Sequence, residues 1–190
     1  MSATWPLQRC SRRVSKRLFV SRYTLCSLVT ACAFLAGCGD LLSLHALYTK
    51  ADQVFDPALE GNWQSADNSM SVKREGDLYE VLLQSRPPMG EPTKFELHLL
   101  DIRGVRFADL EAADQIGHMI LRVRLTEGKL HVAFLDSEWL RQQVPHDDAD
   151  IELGRKQAML TVSTPQLKTL VAIYAMEDRA YDKEIVFERP

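Results

Sequence analysis

His98 and Asp109 are the two residues whose types and spacing best suit acid–base chemistry. A two-residue turn at Arg103-Gly104 sets them opposite each other on adjacent antiparallel strands, within hydrogen-bond reach. A histidine held by a carboxylate is the arrangement of a general base with its orienting acid. The same pair also makes an ordinary surface ion pair, and no nucleophile is tied to it in the sequence, so the structural reading leads. One extra residue in the turn breaks the pairing. The chain has five histidines: His45, His98, His118, His131 and His146. His118 and His131 share the polar face of one hairpin but lie at opposite ends. At about 3.4 Å per residue they are about 20 Å apart, too far to share a metal. His146, Asp147, Asp148, Asp150 and Glu152 form an acidic loop. Its alternating acids resemble the start of a calcium loop, but Gly154 comes one place late and Met159 stands where the bidentate glutamate is needed. A solvated loop is expected there, with no metal and no cofactor. No G-x-S-x-G elbow, H-E-x-x-H helix or phosphate-cradling glycine loop occurs. No catalytic residue is assigned.

The elements that must position these residues read as strands. In Thr126-Glu127-Gly128-Lys129 the glycine takes the second place of a two-residue loop, where positive φ is required. Pairing outward sets Leu125 opposite Leu130, Val123 opposite Val132 and Leu121 opposite Phe134, which with Met119 make one apolar face. Arg122, Arg124 and His131 take the other. An Arg74-Glu75-Gly76-Asp77 turn likewise joins Met70 and Val72 to Tyr79, Val81 and Leu83. The Arg103-Gly104 turn joins Phe95, Leu97 and Leu99 to a strand around Val105 to Leu110. Three glycine hairpins in succession describe a meander, and a meander with one apolar face must roll up or stack to bury it. Thr164 is placed to cap a helix with Pro165 at its first position, striped by Leu167, Leu170, Val171, Tyr174 and Ala175. Lys183 to Glu188 follows as a last strand with Ile185 and Phe187 on one face. Trp139, Leu140 and Val144, on a helix after Ser137, read as core. Ahead of the meander, Leu41, Leu44, Leu47, Tyr48, Ala51, Val54 and Phe55 recur at helical spacing. This predicts a short amphipathic helix that caps the domain, since Lys50 is its only cationic anchor for a membrane.

The first segment has a different character. Arg9, Arg12, Arg13, Lys16, Arg17 and Arg22 charge it, no acid precedes Asp40, and Tyr23 to Ala36 is apolar or small throughout. That stretch is shorter than the roughly 20 residues of a membrane-spanning helix and suits the apolar region of a signal peptide. Leu35, Ala36, Gly37 and Cys38 end it, and this word resembles the lipobox of bacterial lipoproteins. The resemblance implies cleavage between Gly37 and Cys38 and a diacylglycerol on the Cys38 thiol. Arg12 and Arg13 suggest a twin-arginine signal, but Ser15 stands where that signal needs a bulky apolar residue, so ordinary secretion is expected. Of Cys10, Cys26, Cys32 and Cys38, only the last survives processing, which leaves no disulfide framework and no free thiolate site. Gly39 separates Cys38 from Asp40; in this family an aspartate directly after the cysteine marks inner-membrane retention, so the resemblance points to the outer membrane. Without the leader's six bases the chain holds 17 basic against 26 acidic residues, net −9. Such a body offers no basic patch for nucleic acid and no grip on anionic lipid, so acyl chains must supply the membrane contact.

The expected organisation is a signal peptide over 1–37, a lipidated tether with a short helix over 38–57, and one domain over 58–190. The fold class is mainly β: an antiparallel up-and-down meander closing into a barrel, with a C-terminal helix before the last strand. Gly61 and Trp63 at the start of the first meander strand, with the late helix and closing strand, resemble the lipocalin or calycin barrel. That resemblance implies a tryptophan closing one barrel end and an interior that often holds an apolar small molecule. Its pocket would be lined by Gly61, Trp63, Tyr79, Leu97, Leu121 and Phe134. The stretch from His45 to Trp63 also resembles the opening of an uncharacterised group of bacterial lipoproteins, to which no activity attaches. The strands are short for a larger lipocalin, and Ser137 to Lys156 is an insertion relative to one. Two functional readings follow. One is an envelope lipoprotein that takes up a small apolar ligand or lipid. The other is a structural or interaction lipoprotein with a filled barrel and a protein partner. An open interior of at least about 300 Å³ favours the first and a filled one the second.

Overall fold

The computed structural model describes residues 41–113, 115–143, 151–153 and 158–190. The signal-peptide, cleavage and lipidation expectations on Gly37 and Cys38 lie outside these residues, as do Val144, His146, Asp147, Asp148 and Asp150. The chain begins with β1 (Leu41–Ser43) and reaches the meander through a single 3-10 turn at Pro57–Leu59. The meander strands are β2 (Gly61–Gln64), β3 (Asn68–Glu75), β4 (Leu78–Ser85), β5 (Thr93–Ile102), β6 (Val105–Ala112), β7 (His118–Thr126) and β8 (Lys129–Leu135). Then come α1 (Ser137–Gln143), β9 (Ile151–Leu153), β10 (Ala158–Leu160), α2 (Thr164–Tyr174) and β11 (Tyr181–Phe187).

Strands β2 to β8 pair antiparallel in chain order, and β11 adds antiparallel to β8. At its far end β11 reaches β2: Gln64 and Glu188 exchange two backbone hydrogen bonds of 2.8 Å. On the β7 edge, β8 covers Leu121–Thr126, and β1 takes the remaining stretch with Leu42 opposite Met119 and Ser43 opposite His118. Strand β10 runs parallel to β1 and carries β9. The result is a mainly β protein, a curled half-barrel sheet dominated by antiparallel pairs and flanked by helices.

The registers of the Gly104 and Gly128 hairpins agree with the sequence reading, whereas the Gly76 loop lies one residue later than the Arg74-Glu75-Gly76-Asp77 turn predicts. Leu125, Val123 and Leu121 stand opposite Leu130, Val132 and Phe134, and His98 stands opposite Asp109. Both turns place both loop residues at positive φ, Arg103 at 56° and Gly104 at 81°, Glu127 at 54° and Gly128 at 76°. This is the backbone twist that a right-twisted hairpin accepts. In the β3–β4 hairpin the loop is Gly76-Asp77, so Val72 meets Val81 and Met70 meets Leu83. Period-two alternation then sorts side chains to two faces. Inward go Trp63, Tyr79, Val81, Phe95, Leu97, Leu99, Leu121, Val123 and Phe187, one continuous cluster. Outward go Leu100, Phe107, Ile120 and Leu135, which meet Leu140 of α1, Leu167 and Val171 of α2, and Leu47. Strands β5 to β7 are therefore covered on both faces, and β5 is buried from Leu97 to Leu100 without a break.

Leu41–Phe55 is not the amphipathic helix that its spacing predicts. It is β1 followed by an irregular strap laid over the outer face. Its backbone donors go to strand residues or to local turn partners such as Thr49 and Asp52, not to their own fourth neighbours. Leu44 donates to Leu160 at 2.8 Å and Val54 to Leu99 at 2.9 Å. A segment this short is marginal as a helix in water, so tertiary partners decide its form. The late helix also starts one residue from the expected cap. Ser163 is the N-cap, its N–H donating to the Gln166 side chain at 3.0 Å. The Thr164 hydroxyl is used elsewhere and donates to the Ala46 carbonyl at 2.7 Å, tying α2 to the strap.

Candidate functional site

The polar exception in this fold is on the outer face of β5, β6 and β7, beneath the strap. Outward alternation presents Glu96 and His98 from β5, Asp109 and Glu111 from β6, and His118 from β7. The register sets His98 opposite Asp109 and Glu111 opposite His118, so Asp109 and His118 are diagonal neighbours on one face. Asp109 is fully buried. Its Oδ2 accepts from the Leu47 backbone N–H at 2.6 Å. Its Oδ1 lies 2.8 Å from His118 Nδ1. A carboxylate only accepts, so His118 carries a proton on Nδ1.

His98 is near Asp109 but is not bonded to it. The Asp109 oxygens are directed at the Leu47 N–H and at His118 Nδ1, and the Tyr48 ring stacks on the His98 imidazole at 3.7 Å between centroids and 17° between planes. His98 Nδ1 is buried and has no hydrogen-bond partner among the described residues. The two histidines are pushed in opposite directions. The Asp109 hydrogen bond raises the His118 pKa, whereas burial under Tyr48 lowers that of His98 despite Asp109, Glu96 and Glu111 nearby. Burial, with the same carboxylates, pushes the Tyr48 hydroxyl up.

A carboxylate-oriented histidine needs a nucleophile or an acidic substrate proton to do chemistry. Ser43 is the nearest candidate in register, directly opposite His118. It is fully buried, and its hydroxyl donates to the His45 carbonyl at 2.7 Å. The hydroxyl is thus engaged as a donor away from the imidazole. One buried carboxylate clamps the strap to the sheet in this fold. Sequence reasoning found His98 and Asp109 but missed His118, Leu47 and Tyr48 as their partners. The usable signal was an aspartate inside the apolar run of β6, which demands a donor from somewhere. His131 stands apart, its Nδ1 3.2 Å from Glu184 Oε2. Among the described residues no group of three or more His, Cys, Asp or Glu side chains is placed to hold a metal ion.

No protein-family model matches this chain, and neither any curated protein nor any solved structure is significantly similar to it.

The residues expected to line a pocket do converge on the inner cluster, but as packing. Trp63 is fully buried, Tyr79, Leu97 and Leu121 are buried, and Phe134 packs against them partly exposed. Their polar atoms are committed. Trp63 Nε1 donates to the Leu59 carbonyl at 2.8 Å. The Tyr79 hydroxyl accepts from Asp56 N–H at 2.7 Å. At the Trp63 end, the Arg189 guanidinium lies 4.3 Å above the indole and donates to the Ala58 and Glu60 carbonyls at 2.9 and 3.1 Å. Gly61 makes room for it: a Cβ there would lie 2.5 Å from Arg189 Nη1, at a φ of +124°. Two open surface clefts, about 380 and 410 Å³, are lined by Arg86 and Glu188 and by Asp52 and Lys168 respectively. Neither is lined by Trp63, Tyr79, Leu97, Leu121 or Phe134.

Proposed function

We propose that this chain is a lipid-anchored envelope lipoprotein whose domain is a filled lipocalin-like barrel and which acts as a structural or interaction module. Closure of the curled sheet is supported by the Gln64–Glu188 hydrogen bonds, which join the first and last strands of the meander path. The single observation that carries the functional reading is the interior. Trp63, Tyr79, Leu97 and Leu121 occupy it with their own side chains, and both clefts open outward. A ligand binder needs an apolar concavity of a few hundred Å³ to bury its guest. Anchoring rests on the Leu35-Ala36-Gly37-Cys38 word after a basic and apolar leader. No described helix is long and apolar enough to cross a membrane. On this reading the domain faces the periplasm, with the outer membrane favoured, and its partner is a protein met at its surface.

Native mass spectrometry with solvent extraction, on the full chain purified from its own membranes, tests the reading. The expected result is no stoichiometric small apolar molecule beyond the covalent lipid. A reproducible one-to-one companion overturns it in favour of ligand carriage.

A further inference from the structure

We infer that the strap, Leu44–Phe55, is an acid-released cover, held down by Asp109 and lifted when His98 beneath Tyr48 takes up a proton. The near end of the strap is held by Leu44 N–H on the Leu160 carbonyl and by the Thr164 hydroxyl on the Ala46 carbonyl, and Gln53 bridges to Leu100 further along. Its centre is held by the Leu47 N–H on Asp109 Oδ2 and by the Leu47 side chain, wholly enclosed in the outer cluster. Its far end is held by Val54 on Leu99 and by Asp52, which pairs with Lys168 of α2. Between these points Tyr48 lies flat on His98.

The groups facing His98 come from every element around it: Glu96 on its own strand, Asp109 and Glu111 on β6, His118 on β7, and Tyr48 on the strap. With the strap seated, a charged imidazole has a second N–H and nothing to give it to. Nδ1 has no partner among the described residues, Asp109 Oδ2 and Oδ1 being directed at the Leu47 N–H and at His118 Nδ1. A buried donor left without an acceptor is costly, and a buried cation more so. Lifting Tyr48 lets water reach Nδ1 and leaves three carboxylates facing the new cation. The lifted state therefore binds the proton more tightly than the seated one. By linkage, acid favours lifting, beginning as pH falls through the ordinary histidine range near about 6.5. His118 does not oppose this, because its bond to Asp109 joins β6 to β7 and does not involve the strap. What the lifted strap uncovers is the outer face around Leu100 and Phe107, both now buried.

Hydrogen exchange followed by mass spectrometry, on the full chain at about pH 7.5 and about pH 5.5, reads this directly. After correction for intrinsic exchange, protection of the strap amides falls about tenfold at the lower pH, while β5 to β8 hold theirs. His98→Phe keeps the stacking surface and cannot charge, so its strap protection stays constant. His98→Gln, also unable to charge, behaves the same way. A parent strap that keeps its protection, or either variant losing it as the parent does, overturns the inference. Should neither variant fold, the parent decides: the loss must share its midpoint with the His98 imidazole followed by NMR, and a midpoint that follows His118 overturns it. None of these readouts depends on lipidation.

Discussion

Asp109 joins two parts of the chain that are remote in sequence and splits the behaviour of two histidines. His118, hydrogen-bonded to it, has its pKa raised above 6.5, and His98, buried beside it, has its pKa lowered below 6.5. The signs give opposite linkages. The stability that His118 contributes is fully present below its unfolded value and is lost as pH rises through the raised folded value. The stability that goes with a neutral His98 is present above its unfolded value and is lost as pH falls through the lowered one. In the parent these slopes oppose each other, so each is visible only when the other is removed. In His118→Gln, urea unfolding at a series of pH values shows stability falling as pH drops below about 6.5. In His98→Gln the same series shows stability falling as pH rises above about 6.5. Parallel slopes in the two variants contradict this arrangement. His98 and Asp109 were legible in the sequence because a two-residue turn sets them opposite each other. His118 was not, because its register depends on the longer β6–β7 connection. Leu47, 62 residues from Asp109, has no sequence signal that points to it.

At the scale of elements, the hairpins and α2 form where local rules put them, and the ends of the sheet are held by particular side chains. The Trp63 end is held by Arg189, which stacks on the indole and closes two carbonyls, in space left by Gly61. Gly61→Ala puts a methyl group into the guanidinium at a backbone angle that alanine resists. A loss of about 3 kcal/mol in unfolding free energy is expected, from strain of about 1–3 kcal/mol and a displaced cation–π contact. Arg189→Ala removes the obstacle together with the contact, so Gly61→Ala added to it costs less than in the parent, about 2 kcal/mol. Additive losses in a double-mutant cycle contradict the close approach. The strap is the one element whose sequence periodicity misleads. Its apolar residues at helical spacing reflect contacts spread along a folded-over path, with Leu47 as the buried anchor.

For the whole molecule, charge and anchoring belong together. Outside residues 1–37 the chain carries net −9, so on the proposed reading association with an anionic bilayer comes from covalent lipid rather than from the protein surface. Under the proposed reading, Cys38→Ser leaves an uncleaved or soluble form that takes up no labelled palmitate. Labelling equal to the parent's contradicts the anchor. The fully buried Trp63 and Tyr79 belong to the packing that stabilises the domain, and on the proposed reading its surface carries the function.

The sequence by itself determined the strand character, the parity of the hairpin faces and the registers of the Gly104 and Gly128 hairpins. These follow from period-two alternation and from turn chemistry within about ten residues, where few alternatives compete. It also determined the late helix to within one residue of its cap. Only the tertiary structure decided that Leu41–Phe55 is a strap, that Asp109 bonds Leu47 and His118 instead of His98, and that Trp63, Tyr79, Leu97 and Leu121 meet in one buried cluster. Each of these is a competition between distant partners for one donor, one acceptor or one volume, and no local pattern encodes which partner wins.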